Sequence, residues 1–216
     1  MNIESIIYNI AVWSLPVLFA ITVHEVAHGW VANKLGDSTA KMLGRLTLNP
    51  FKHIDPIGTV VVPLAMVLLQ TGFVFGWAKP VPVNMNKLNS PRKDMAIVAI
   101  AGPLSNLVMA IFWVFVFKLG NSVITDPNIA KGIMAMGQAG ILINLILFVF
   151  NLLPIPPLDG SRVLSGFLPK SLSDVMDKIE PYGLFIVIGL LYFGVLNSIL
   201  TPTLNFFMNT IGSIFF

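Results

Sequence analysis

The sequence predicts an all-α polytopic membrane protein: a bundle of about four to six transmembrane helices, with a re-entrant segment and a short β-like element near the cytoplasmic face. Three observations lead there. Of the 216 residues, 56% are hydrophobic and only 11% charged, where an ordinary soluble domain carries about 25% charged residues. A soluble core of this size could not hide so much apolar surface, so lipid is the natural solvent for the excess. The apolar residues also gather in long stretches, and Lys and Arg are confined almost entirely to the loops between them.

The stretches run, in order, over residues 6–32, 57–75, 95–119, 133–153 and 182–200. A helix needs roughly 20 mainly apolar residues to cross the hydrocarbon core. The second stretch is marginal and is broken by Pro63. A tail over 203–216 is apolar but short, suited to the interface or to capping the bundle. The Pro-rich pieces Lys79-Pro80-Val81-Pro82 and Pro154-Ile155-Pro156-Pro157 are irregular backbone beside membrane segments. Such backbone is tolerated at membrane depth only where protein or a wet cavity covers it. No repeat or low-complexity tract interrupts the pattern, and residues 1–216 read as one membrane-embedded domain.

Charge orients the stretches. Lys34, Lys41, Arg45 and Lys52 follow the first; Lys79, Lys87, Arg92 and Lys93 follow the second; Arg162, Lys170 and Lys178 follow the fourth. Only Lys118 and Lys131 of the 13 basic residues lie elsewhere. Cytoplasmic loops carry the excess of Lys and Arg, so both clusters flanking 57–75 read as cytoplasmic. That stretch then enters and returns, with Gly72 and Gly76 permitting the turn. Four crossings put the N-terminus outside the cell membrane. They bring residues 24–28 and 154–160 to the same cytoplasmic depth.

A net charge of +3 does not point to nucleic acid, because the basic residues form no stripe. The absence of cysteine excludes a disulfide scaffold, a thiolate metal site and a Cys nucleophile. The first residues hold Glu4 and no Lys or Arg, unlike the basic start of a cleaved signal peptide.

The chemistry begins at His24-Glu25-Val26-Ala27-His28. Histidines four apart project from one helix face and can share a metal, and the Glu between them can accept a proton from a metal-bound water. Two His ligands with an open position suit catalytic zinc, one ion per chain. Such a pattern also occurs by chance on wet helices. Here, however, it follows the apolar run Leu15-Pro16-Val17-Leu18-Phe19-Ala20-Ile21-Thr22-Val23, and ionisable residues inside a membrane segment are costly and functional by default.

Such a site needs a third protein ligand. His53 and Asp159 are the candidates. Asp159 follows the proline-broken end of the fourth stretch, in Asn151-Leu152-Leu153-Pro154-Ile155-Pro156-Pro157-Leu158-Asp159-Gly160. A carboxylate there calls for a cation beside it, although Asp-Gly is also a common turn. His53 has no spacing constraint and reads best as a loop residue that binds backbone.

Together the two motifs resemble the site-2 protease family of intramembrane zinc metalloproteases, over nearly the whole chain. Ala101-Gly102-Pro103-Leu104-Ser105-Asn106 is similar to that family's intervening helix. Gly44-Arg45-Leu46-Thr47-Leu48-Asn49-Pro50 and Phe75-Gly76-Trp77-Ala78-Lys79-Pro80-Val81-Pro82-Val83-Asn84 resemble segments of its compact prokaryotic members. The chain shows no PDZ or CBS domain of the kind found in larger ones. The resemblance implies zinc ligands His24, His28 and Asp159, Glu25 as catalytic base, and Asn151 near the scissile peptide. It also implies membrane-protein substrates cut within or near a transmembrane helix, in regulated proteolysis or in clearance of signal-peptide remnants.

A substrate helix must unwind before attack, and an extended segment can pair with an exposed backbone edge. Residues 76–86 are the candidate edge, because Val81, Val83 and Met85 alternate with Pro82, Asn84 and Asn86, and prolines suit an edge strand. Val81, Val83 and Asn84 are therefore expected at the substrate. A plain loop is the simpler alternative. At the level of function the competitors are a membrane zinc-binding or transport protein without protease activity, and an inactive scaffold. Transport would need polar groups along a path through the bilayer, whereas those here gather at one depth. A scaffold would not need Glu25.

Overall fold

The computed structural model describes residues 3–69 and 76–215. Among the described residues three helices are long and apolar enough to cross a membrane: α1 (Ile3–Lys34), α4 (Pro91–Ser122) and α5 (Pro127–Asn151). Between α1 and α4 lie the short α2 (Thr39–Met42) and α3 (Val62–Leu68); after α5 come α6 (Asp159–Phe167), α7 (Lys170–Ile179), α8 (Gly183–Tyr192) and α9 (Val195–Phe215).

Local chemistry sets the ends of the long helices. α1 begins with Glu4 and ends with Lys34, charges that complement the helix dipole. Both α4 and α5 open on a proline, which fits the first helical position because its missing N–H needs no partner there. The Asp126 carboxylate caps α5 by accepting the amides of Asn128 and Ile129, at 2.8 and 3.0 Å. α4 and α5 form an antiparallel hairpin, and α1 packs against both. Ala110, Trp113 and Val114 of α4 meet Ile141 and Leu145 of α5 in a buried cluster. The opposite face of α4 leaves Val108, Phe112 and Phe115 exposed, as a lipid-facing surface would.

Among the described residues the second stretch holds no helix long enough to cross a membrane. Residues Pro56–Leu68 form a short apolar helix, roughly 20 Å at 1.5 Å per residue, against a hydrocarbon core of about 30 Å. Residues 77 and 79 lie back against its start. The Trp77 amide donates to the Gly58 carbonyl at 3.1 Å, and the Lys79 amide to the His53 carbonyl at 2.9 Å. Residues 53–58 and 77–79 are thus pinned together, an arrangement that a re-entrant segment would need. Gly72 lies outside the described residues.

The fifth stretch is not one helix. It splits into α8 and α9 at Gly194, whose φ of +73° is a left-handed conformation that glycine adopts without strain. The α7–α8 limb and α9 bend by 77°, so the count is three single helices, or four spans if the bent pair is one. The tail caps the bundle: Ile211 joins the α4–α5 cluster, with Leu204, Phe207 and Phe215 packed on it. Among the described residues no strand forms. Residues 76–84 run as irregular chain into a 3₁₀ turn at Met85–Lys87, so the β-like element is not present as a paired strand. A strand needs a partner, and the carboxylates described below take two of this segment's amides.

Candidate metal centre

The helical repeat stacks His24 over His28 on the face of α1 that meets α4 and α5. Their rings sit edge to face, with centroids 4.6 Å apart. Their Nε2 atoms are 3.0 Å apart. Asp159, the first residue of α6, delivers its Oδ2 to 3.2 Å from His24 Nε2 and 3.3 Å from His28 Nε2. The turn from α5 into α6 brings a residue more than a hundred positions away onto the histidine pair. Among the described residues this is the one group of three or more such side chains poised to share a metal.

The donor set fits a cation. His28 Nδ1 lies 2.7 Å from the Val98 carbonyl, which can only accept, so Nδ1 carries the proton and Nε2 presents a lone pair. Asp159 Oδ2 is buried and has no hydrogen-bond partner. A buried carboxylate oxygen without a donor is expensive, and a metal between it and the imidazoles removes that cost. Two neutral imidazoles and a carboxylate are a zinc donor set.

Gly102 makes the room. On α4 it faces the histidines, and a Cβ there would collide with His28 Nε2 and lie 2.7 Å from His24 Cε1. From the sequence this glycine reads as ordinary helix packing; its job is to admit two rings. Asn106, one turn on, places its Oδ1 2.6 Å from His24 Nδ1. The sequence offers a signal for Asn106 and for Asn144, since an amide in an apolar helix needs a partner. It does not say which partner.

Glu25 points to the other side of the site. Its Oε2 accepts the Val81 amide at 2.6 Å. Three residues on, the Asn84 amide donates to Asp37 Oδ2 at 2.6 Å, while the Asn84 side chain caps the following turn through the Asn86 amide. Asp37 is fully buried. Burial pushes its carboxyl up, but hydrogen bonds from Thr39 and Asn84 and the charge of Lys87 outweigh it and hold the group below the usual carboxylate range. Nothing in the sequence singles out Asp37. Val81 is buried, and Val83 lines a cavity of about 460 Å³ shared with Met85, Met95, Pro156 and Ser161.

The remaining sequence-selected residues stand apart from the donor cluster. The Asn151 side-chain amide donates back to the Leu147 carbonyl of its own helix at 2.9 Å. His53 is buried and donates from Nε2 to the Thr47 carbonyl at 2.9 Å, the backbone-binding role expected of it. Arg45 donates to the Lys79 carbonyl at 2.8 Å. The segments at 44–50 and 75–84, which the resemblance picked out separately, thus brace each other.

Comparison with known proteins gives the family. The model of Peptidase family M50 matches residues 119–194, which include Asp159 but not the histidine turn. Over 194 residues the chain is 42% identical to "Putative zinc metalloprotease YwhC" of Bacillus subtilis (strain 168), a match covering 88% of this chain and 84% of that one. The chain belongs to peptidase family M50. This M50 peptidase is also 30% identical over 192 residues to Rip2 of Mycolicibacterium smegmatis, covering 87% of this chain and 66% of the relative. "Zinc metalloprotease MJ0392" of Methanocaldococcus jannaschii is 27% identical over 169 residues, 38% of its length. No solved structure gives a significant match. Membership makes the chain a metalloprotease, and its long apolar helices are those of a multi-pass membrane protein.

Proposed function

We propose that the chain is a single-domain intramembrane zinc metalloprotease, which hydrolyses peptide bonds within or near transmembrane segments of other membrane proteins. The observation that carries this reading is the meeting of His24, His28 and an unpartnered Asp159 oxygen inside an apolar bundle, with Glu25 on the same helical turn. His24, His28 and Asp159 would hold one zinc ion. Zinc there would supply Lewis-acid chemistry toward a scissile carbonyl and a water whose pKa is lowered to about 7.

The protein's own groups do the rest. The Val98 carbonyl keeps His28 in its metal-binding tautomer. Glu25 takes the proton from the attacking water and passes it to the leaving amine. The Val81 amide fixes one of its carboxylate oxygens, which aims the other at the reaction. The 76–84 segment is the edge on which an unwound substrate lies. The Val81 and Asn84 amides are engaged with Glu25 and Asp37, so pairing falls to the Val83 amide and to the carbonyls of Val81 and Val83. Substrate side chains enter the cavity beside Val83, and Asn151 steadies the scissile peptide once substrate is bound. The site faces the cytoplasmic side of the cell membrane, with the N-terminus outside, as the loop charges favour.

The test is cleavage of single-span membrane substrates in proteoliposomes. Wild type is expected to cut, and Glu25→Gln to bind zinc but not cut. Zinc crossing the vesicles without proteolysis would favour the transport reading, and a Glu25→Gln variant as active as wild type would remove Glu25 from the mechanism. Labelling of a cysteine at Lys87 from outside only would overturn the orientation.

A further inference from the structure

We infer that Asn106 and Asn144 are positioning residues that select the metal-binding tautomer of His24; this rests on the zinc reading above. The hydrogen-bond directions can be read from two fixed ends. Asn144 Nδ2 lies 2.9 Å from the Gly140 carbonyl, which can only accept, so the amide nitrogen of Asn144 points there and its Oδ1 points away. That Oδ1 meets Asn106 Nδ2 at 2.9 Å. The same Asn106 nitrogen lies 3.1 Å from the Ala20 carbonyl, a second acceptor. Both Asn106 protons are thereby used, and its Oδ1 is left facing His24 Nδ1 at 2.6 Å. An amide oxygen can only accept, so His24 must carry its proton on Nδ1 and present Nε2 bare.

The alternative tautomer would be self-sufficient. With its proton on Nε2, His24 would turn it toward His28 Nε2, 3.0 Å away, whose lone pair the Val98 carbonyl has already fixed, or toward Asp159 Oδ2, 3.2 Å away. Either bond would occupy two of the metal-binding atoms at once. The amide relay denies His24 this choice. It joins α1, α4 and α5 and is closed to water, since Asn106 and Asn144 are both fully buried. No water can replace a lost member, and its polarity can reverse only by leaving a buried donor or acceptor unpaired.

The experiment has two arms. Imidazole ¹⁵N spectra of metal-free protein in detergent report which nitrogen of each histidine is protonated. Zinc affinity is measured by competition with a chelator. Wild type is expected to show His24 protonated at Nδ1. Asn106→Ala should move His24 toward Nε2 protonation while His28 and His53 keep their signals, and should weaken zinc binding about 10- to 100-fold, the usual effect of losing a residue that orients a ligand. Asn144→Ala touches no ligand and tests the relay if Asn106→Ala folds poorly. It should shift His24 partly, with a smaller loss of affinity. Wild-type protein with His24 protonated at Nε2, or variants that keep both tautomer and affinity, would overturn the inference. The spectra need no metal, so they decide it even if wild type takes up no zinc, a result that would count against the zinc reading instead.

Discussion

The two polar regions around the histidine turn are built on opposite terms. On the bundle side, His24 is tied through Asn106 and Asn144 to backbone carbonyls of α1 and α5, every member buried. On the other side, Glu25 and Asp37 hold a loop through single amide bonds, at Val81 and Asn84, next to a cavity lined by charged residues. In the first region water cannot substitute for a lost partner, so each bond is obligatory. In the second, Glu25 is half-buried and Asn84 exposed, so a competing strand or water can take over although Asp37 itself is buried. A metal site needs the first property, because its ligands must hold still. A surface that receives substrate needs the second. One turn of α1 carries both: its histidines face the rigid side and Glu25 faces the exchangeable one.

Breaking the rigid side should cost most. His28→Ala or Asp159→Ala is expected to abolish zinc binding and to lower proteolysis by roughly 10³-fold or more, since the metal supplies several kcal/mol of transition-state stabilisation. Chelation should reproduce the loss and added zinc should reverse it in wild type only. Activity surviving in either variant would place the metal elsewhere. Gly102→Val is a subtler break, for it changes no ligand. Its added carbons would strike His28, so zinc affinity should fall about 10- to 100-fold, with a lower melting temperature from overpacking. Equilibrium zinc content against a chelator series measures it.

The exchangeable side should show a different signature. Val81→Pro removes the N–H that Glu25 accepts. A hydrogen bond to a charged group is worth about 1.5–3 kcal/mol, so kcat should fall roughly 10- to 100-fold while zinc affinity stays at the wild-type value. A matching fall in zinc affinity would show that the two sides are not independent.

What could be read without coordinates follows the same division. His24, Glu25 and His28 are legible because four residues make one turn, whatever the helix packs against. Asp159 is legible through crossing parity and its proline-broken context, which fix depth without needing contacts. Asn106 and Asn144 show as polar residues in apolar helices, but their pairing with His24 depends on how α4 and α5 rotate against α1, and helical periodicity does not encode rotation between helices. The Val81–Glu25 bond joins loop to helix and the Asn84–Asp37 bond loop to loop, each across about fifty residues with no repeating pattern. The break at Gly194 escapes hydropathy because both limbs are apolar, and the window averages over residues, not direction.

Asp37 offers the mildest break and the one with a pH signature. Its carboxyl sits below the usual range in the folded protein, so the anchoring it provides is present above the unfolded pKa of about 3.9. That anchoring is lost only as pH falls through the lower folded value. The Asn84 amide should therefore stay protected from hydrogen exchange at neutral and mildly acidic pH, and lose protection only below the ordinary carboxylate range. Asp37→Asn keeps one acceptor oxygen and gives up the other. It should cost about 1 kcal/mol at the anchor, seen as a KM raised roughly fivefold at unchanged zinc affinity and an Asn84 protection that no longer tracks carboxylate titration. If the variant instead lost zinc, the loop would be part of the rigid side, and the contrast between obligatory and exchangeable bonds on this one helical turn would have to be redrawn.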